Sequence, residues 1–381
     1  MVPLLFGCTE GFEAQNAVVV DSSGVQIVTS SVSSGAGLQI DSIPDLELGG
    51  IDASGPEQFG NVSGIVVATD GSIWVSDRQT PTVQVFEADG THRASVGGAG
   101  DGPGEFRTVE LQGAARDSVA ITDGRGGRLS WFSLDGTFLT SVSLDRAGGA
   151  SPIVYGVSND GTPVGVVQTV LGANELATGD TFGGDMEFVA WIETDDAPTV
   201  LAQASTTVRT LTERSSLPLP FMVNAMLSAG HQIAIHSGPD FEVRILSLDG
   251  GVRRIQRVER PRQPVNTSVR AEYAEFVEMA YPPGRQDQFL ELVDHPEVPE
   301  YAPAYSRLLQ TSEGVIWAQH WTPSPARQGD WDVFDSEGTL VATVPNPDRL
   351  WIHAVSDSAI YGVWNDELGV DHVRRHPLRP Q

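Results

Sequence analysis

Residues 97–106 read GGAGDGPGEF, and a shorter echo, GPEQF, stands at 55–59. A glycine-rich run ending in an acid and an aromatic can cradle a phosphate, form a flexible linker, or join two copies of a repeated unit. The phosphate reading fails on chemistry. A P-loop carries Gly-Lys-Ser/Thr so that an ammonium reaches the β- and γ-phosphates, and this chain has no lysine, its 23 basic residues all being Arg. A dinucleotide fingerprint follows a strand and opens a helix, whereas Phe106 is followed by RTVELQGAARDSVAITD, which is strand-like and has no helical period.

Around this run the sequence repeats. NVSGIVVATDG, SIWVSD, TVQVFEADG and THRASVG are four strand-like pieces, with Asp70-Gly71 joining the first two and Asp89-Gly90 the last two; Asp-Gly favours tight hairpins. TVELQGAARDS, VAITD, RLSWFSLDG and TFLTSVSL form a second copy, and further copies begin at IVYGVSNDG, FMVNAMLSAGH and YSRLLQTSEG. A sixth, LWIHAVSDS, AIYGVWND and VDHVRRHPL, stops after three strands. A circular array must be closed, and GVQIVTSSV and LQIDSIPDLELGG precede the first complete unit; residues 38–48 are expected to supply the missing outer strand. The expected fold is all-β, a six-bladed β-propeller of four-stranded antiparallel blades closed by an N-terminal strand. The 41 Gly and 24 Pro suit its many turns. GGAGDGPGEF then connects the outer strand of blade one to the inner strand of blade two, with Phe106, like Phe59, as an apolar plug between blades.

Gly-Pro-Gly-Glu-Phe, an inner strand, Asp-Gly, IWVSD and VQVFEADG together resemble the NHL-type repeat. The layout is similar to that of bacterial six-bladed propeller proteins described as exported lipoproteins. The match is strong over 55–145, clear at 301–345 and weaker in blades three, four and six. The resemblance implies a fold and no single activity.

Residues 1–20 read as an export segment and tether, and 21–381 as one propeller. Cys8 is the sole cysteine, which excludes a disulfide framework. MVPLLFGC resembles a bacterial lipobox in which Cys8 is lipidated, although the seven residues before it lack a basic n-region and a full apolar h-region, so the signal reads as truncated. The expectation is export to the periplasm or outer surface, with membrane contact only through an anchor at Cys8. Beyond the first few residues no run has the apolar length of a membrane span. A net charge of −27 repels phosphate backbones and anionic lipid, which disfavours nucleic-acid binding, and keeps the chain soluble.

With strands a to d counted from the axis outward, the b–c and d–a loops share one face. All the long insertions, 171–187, 259–303 and 322–330, fall there, the pattern of a recognition face. In the second of them SVRAEYAEFVEMAY predicts a helix with Ser268 as N-cap, with Val269, Tyr273, Phe276, Val277 and Ala280 on one side and Pro282-Pro283 as its stop. Phe289, Leu290, Leu292 and Val293 predict a short companion helix. The pair either covers the channel mouth as a lid or packs on the side of the blades.

Candidate site residues fall into two groups. Asp77, Asp123, His236 and His320 end the b strands and are of metal-ligand type; strand b is one strand removed from the axis, so the two Asp read better as caps of the b–c turns. Tyr155, Asn224, Tyr305, Arg307 and His353 lie on or near the a strands and face either the channel or a blade interface. Trp74, Trp131, Trp191, Trp317, Trp331, Trp351 and Trp364 fall at blade-core spacing. The sequence holds no G-x-S-x-G, H-E-x-x-H or EF-hand loop. The leading expectation is a monomeric, non-enzymatic propeller, without cofactor, that recognises a protein, peptide or glycan through its insertion-bearing face. The alternative, resting on fold analogy, is a hydrolase or lyase of the gluconolactonase or peptide-amidating-lyase type with Ca or Zn in the channel. A third possibility is a structural role in an envelope assembly.

Overall fold

The computed structural model describes residues 17–31, 37–124, 127–143, 153–170, 176–192, 198–212, 215–324 and 326–380. Cys8 and much of the 1–20 segment lie outside the described residues. Blade one consists of Val62–Val67, Ile73–Asp77, Thr82–Phe86 and His92–Gly97, paired antiparallel in sequence order. Blade two repeats this with Glu110–Ala115, Ser118–Asp123, Arg128–Ser133 and Phe138–Ser143. Blade three uses Ile153–Val157, Pro163–Val170, Gly184–Ala190 and Thr199–Ser205, and blade four Met226–Ala229, Ile233–His236, Glu242–Leu246 and Val252–Glu259. Blade five is Tyr305–Gln310, Ile316–His320, Trp331–Phe334 and Leu340–Val344. Blade six has Leu350–Val355, Ala359–Asn365 and Asp371–Arg379. Each innermost strand lies against the next around the ring, that of blade six against that of blade one.

The third strand of blade six is flanked by chain from the N-terminal side. Leu46–Gly49 runs antiparallel to it with Leu48 opposite Val373, and Gln39–Ile40 pairs farther along with Ile40 opposite Leu378. The other N-terminal piece goes elsewhere. Ala17–Ser22 and Val25–Ser31 form a hairpin, and Val25–Ser31 runs parallel to Val252–Glu259, widening the sheet of blade four to six strands. Val28 and Ser30 are buried against the blade, and Ser30 Oγ accepts a hydrogen bond from the Leu340 amide of blade five at 3.0 Å. The expected boundary at residue 20 therefore falls inside the strand Ala17–Ser22.

The joints between blades explain the opening motif. Phe106 is fully buried among Trp74, Val85 and Val96 of blade one and Ile121 and Phe132 of blade two. Phe59 packs in the same way among Ile73 and Phe86 of blade one and Val363 and Val373 of blade six. Each ring lies against a glycine in the left-handed region. A Cβ at Gly97 (φ 94°) would come 2.9 Å from the Phe106 ring, and one at Gly49 (φ 95°) 2.9 Å from the Phe59 ring. The backbone after each Phe is clamped by the Asp that ends the b strand. Asp77 accepts from the amides of Gly60 (2.6 Å) and Asn61 (3.0 Å), and Asp123 from those of Arg107 (3.1 Å) and Thr108 (3.2 Å). The loop is folded on itself: the Phe106 amide donates to the Gly98 carbonyl at 2.8 Å, and Glu105 Oε2 accepts from the Gly102 amide at 2.9 Å.

Helix α1 spans Thr267–Ala280 and α2 Pro283–Leu290. The N-cap of α1 is Asn266, whose side chain accepts from the Val269 amide at 3.1 Å; Ser268, expected in that role, is already inside the first turn. Asn caps as well as Ser, and the extended backbone of Asn266 puts its oxygen in reach of the third helical amide. The companion helix ends at Leu290, so Leu292 and Val293 pack from the turns beyond it.

Removing one plug tests this account. Phe106→Ala is expected to cost about 3–5 kcal/mol of unfolding free energy in urea, the usual range for a fully buried phenylalanine, and an unchanged urea midpoint would show that the ring does not join the blades.

Candidate functional site

Four excursions leave blades three to five on one face: the b–c loop of blade three, the 206–225 connection, the 260–304 connection and the 321–330 loop. Thr181–Phe182, Arg209–Leu211 and Ser216–Pro218 pair into a small three-stranded sheet. Together with α1 and α2 it makes a cap with an apolar interior of its own. One cluster joins Leu217 and Leu219 to Val277, Phe289 and Leu292, and a second joins Phe221 to Val265, Val269, Val293 and Ala302. Phe221 holds a left-handed backbone (φ 61°) and meets Tyr273 and Trp321 edge-on at centroid distances of 5.2 and 6.2 Å. That conformation costs a bulky L-residue about 1–2 kcal/mol, and the packing of three aromatic rings sustains it. Thr181 Oγ1 donates to Glu297 at 2.8 Å, tying the blade-three loop to the insertion.

The contribution of 206–225 was not legible in the sequence. FMVNAMLSAGH reads as the inner strand of blade four, but that strand begins at Met226, and the residues before it serve the cap. Asn224, a channel candidate, instead accepts from the amide and hydroxyl of Thr207 at 2.8 and 2.5 Å and pins the cap's connection. The outer side of α1 and the 321–330 loop enclose a groove of about 550 Å³ lined by Ser268, Glu272, Glu275, Phe276, Met279 and Arg327. Arg327 reaches Glu272 at 3.6 Å, and Met279 is 72% exposed.

Beneath the cap, at the joint of blades four and five, three candidates meet. Tyr305 and His320 pack against Phe241 at centroid distances of 5.4 and 5.7 Å, and the Tyr305 ring lies 5.0 Å from His236. Tyr305 is fully buried in this interface and not in the channel, because alternation along the strand turns it to the blade face. At the centre is Asp332, which the sequence analysis did not single out. It is fully buried and accepts from Arg260 (2.7 and 3.2 Å), the Tyr305 hydroxyl (2.9 Å) and Thr343 Oγ1 (2.7 Å), with His320 Nε2 at 3.0 Å. His320 Nε2 also faces Arg260 at 2.8 Å; it can accept from that guanidinium or donate to Asp332, not both. Burial alone would raise the Asp332 carboxyl, but the His320 and Arg260 hydrogen bonds and charges hold it at about 2. Burial, with the neighbouring Asp332 charge, pushes the Tyr305 phenol up, so it remains a donor. Burial pushes His236 down, and its Nδ1 contacts the Glu242 carbonyl at 2.7 Å. An ionised carboxylate saturated with donors, a phenol that does not ionise and a paired guanidinium make a structural tie between blades.

The b-strand candidates do not converge. Asp77 and Asp123 hold backbone amides in blades one and two, His320 belongs to the tie just described, and His236 packs against its Tyr305. Among the described residues no group of three or more His, Cys, Asp or Glu is arranged to hold a metal ion.

The inner strands carry the remaining candidates. In five blades the pairing of strand a with strand b skips one residue: Ser63, Gln112, Tyr155, Ser306 and His353. Such bulges free a side chain from the sheet and re-aim it. Tyr155 is 45% exposed, and burial of its remainder raises its phenol. Arg307 and His353 sit on adjacent inner strands, with Arg307 Nη1 donating to the Ile352 carbonyl at 2.6 Å. Trp351, expected in a blade core, is 42% exposed, with the Arg307 guanidinium 5.1 Å from its ring centre. Trp74, Trp317 and Trp331 are fully buried in the cores.

Residues 56–150 match the family of 6-bladed β-propellers. No curated protein shows significant similarity to the chain. Among solved structures, a candidate exported protein from Bacteroides fragilis superposes with a TM-score of 0.50 at 11% identity, over 93% of this chain and 99% of that one. A Bacteroides vulgatus protein gives 0.45 at 10% identity over 91% and 99%, and a gluconolactonase from Xanthomonas campestris 0.42 at 14% over 84% and 87%. The chain is a six-bladed β-propeller, and the likeness at these identities concerns the fold alone.

The Asp332 tie predicts an acid limb of stability. A carboxyl held at about 2 against an ordinary 3.8 contributes stability that is present above about pH 4 and lost as pH falls toward 2, on the order of 2 kcal/mol. Asp332→Asn is expected to lower the melting temperature at neutral pH and flatten that limb; a melting profile identical to wild type across this range would dismiss the tie.

Proposed function

We propose that this chain is an extracytoplasmic binding propeller whose cap-bearing face takes up a protein, peptide or glycan. The observation that carries the reading is the one-sidedness of the elaboration. Among the described residues the a–b and c–d connections are short turns such as Ala68–Ser72 and Glu87–Thr91, while the long excursions on the other face of blades three to five join a single cap. Loops built out on one face of a rigid ring and given a shared core hold a fixed surface, which suits recognition. The groove beside α1 adds an exposed Met and paired charges, a surface that adapts to varied ligands. Export is supported by the lipobox resemblance at Cys8 and by the B. fragilis protein described as exported.

Binding of the purified chain to peptide and glycan arrays tests the reading. Met279→Glu combined with Arg327→Glu is expected to abolish captured signals, whereas Glu313→Arg and Asp357→Arg on the opposite turns are expected to leave them unchanged. Loss with the opposite-face pair alone would overturn the assignment. Stoichiometric calcium or zinc in the purified chain, with melting lowered by a chelator, would turn the reading to the metal-dependent hydrolase or lyase.

A further inference from the structure

We propose that the central channel contains a binding site for a small carboxylate-bearing ligand, formed by Arg307, Arg78 and His353 with Trp351 beside it. The site goes beyond the cap-face reading and is independent of it. The chain has 50 acidic residues against 23 Arg, so a guanidinium inside the fold has ample choice of partner. Asp332 saturates Arg260, and Asp70 with Glu87 saturates Arg93. Arg307 is treated differently. Among the described residues its one hydrogen bond is to the Ile352 carbonyl and it has no carboxylate partner, while its face rests on Trp351. Of five N–H donors a single protein bond occupies one.

The surroundings reinforce this. Burial pushes the Arg307 guanidinium down to about 10, with no acid acting against it. Burial, then the Arg307 and Arg78 charges, hold His353 at about 3, so the ring is neutral and offers an N–H or a lone pair. Arg78 directly follows Asp77 of blade one and is exposed, and its charge acts on His353 from that blade. The inner strands carry one acid, Glu110, in blade two, and it is not among the charges acting on Arg307 or His353. Side chains on an innermost strand that escape the blade interfaces meet solvent in the channel, and both Arg307 and His353 remain partly accessible despite their depth.

Two guanidiniums that pair with no carboxylate among the described residues, beside a neutral imidazole, suit an anion. The planar fork of Arg matches a carboxylate through two parallel hydrogen bonds. The acidic exterior does not cancel this, because surface charges are screened beyond about 8 Å at physiological ionic strength, while charges within the channel are screened much less.

Isothermal titration of the full chain in a chloride-poor buffer, with glucuronate and separately with inorganic phosphate, tests the site. Glucuronate is expected to bind, to weaken as salt rises, and to lose at least 10-fold in affinity in Arg307→Gln and in Arg78→Gln, each charge-assisted bond being worth roughly that factor. Arg78→Gln keeps the test open if Arg307→Gln does not fold, and Glu110→Gln is expected to retain wild-type affinity. The cap variants Met279→Glu and Arg327→Glu are expected to leave glucuronate binding intact, which separates this site from the face reading. Folded wild-type chain that binds neither probe, or full affinity in both Arg variants, would overturn the site. Tighter binding of phosphate than of glucuronate would overturn the carboxylate assignment.

Discussion

The packing of one aromatic ring between two blades, against a glycine that leaves it room, is the interaction on which the architecture depends. A four-stranded blade has two apolar faces and cannot bury both alone, so it is stable only beside neighbours. Phe106 and Phe59 fill the seams at blade one, and the Asp at the end of each b strand fastens the backbone that carries the ring. Plug, glycine and clamp come from three different segments, so the seam brings together the outer strand of one blade and the inner strands of the next.

Elsewhere the same mechanical problem is solved with other chemistry. Between blades four and five the seam is polar: Asp332 gathers Arg260, Tyr305, His320 and Thr343 in a buried network. A saturated network of this kind is strongly directional, and removing one member leaves the others uncompensated. It lies under the cap, and the cap rests on the same blades, so a rigid joint stands beneath the surface that the proposed function uses. The N-terminal hairpin adds a further connection, covering the outer strand of blade four and reaching blade five through Ser30.

The axis differs from both seams. Bulges in five inner strands release side chains from pairing, and the charges gathered near Arg307 are of the sign opposite to the chain as a whole. The scaffold thus separates its tasks: seams hold blades together, one face carries a cap, and the inner strands carry Arg307, which among the described residues has no carboxylate partner.

The repeat, the strand order within blades and the plugs at Phe59 and Phe106 were legible in the sequence, because each depends on residues close together in the chain or at a fixed spacing; Asp77 and Asp123, expected as caps of the b–c turns, fasten the chain after each plug, and Asp77 also accepts from the Gln79 amide of its own turn. The α1 segment was legible for the same reason, by its apolar period, though its cap moved from Ser268 to Asn266. Among site residues the sequence marked Tyr305, His236 and His320 without revealing that they share one cluster, and it gave no sign of Asp332 or Arg260, which look like ordinary strand residues until blades four and five are brought together. It also did not separate Tyr305, turned into a seam, from Arg307, left at the channel, since one bulge decides which way a strand residue faces. Local patterning determines which elements form; which side chains meet, and which charges find partners, is decided by contacts between segments far apart in the chain, and only the tertiary structure contains those.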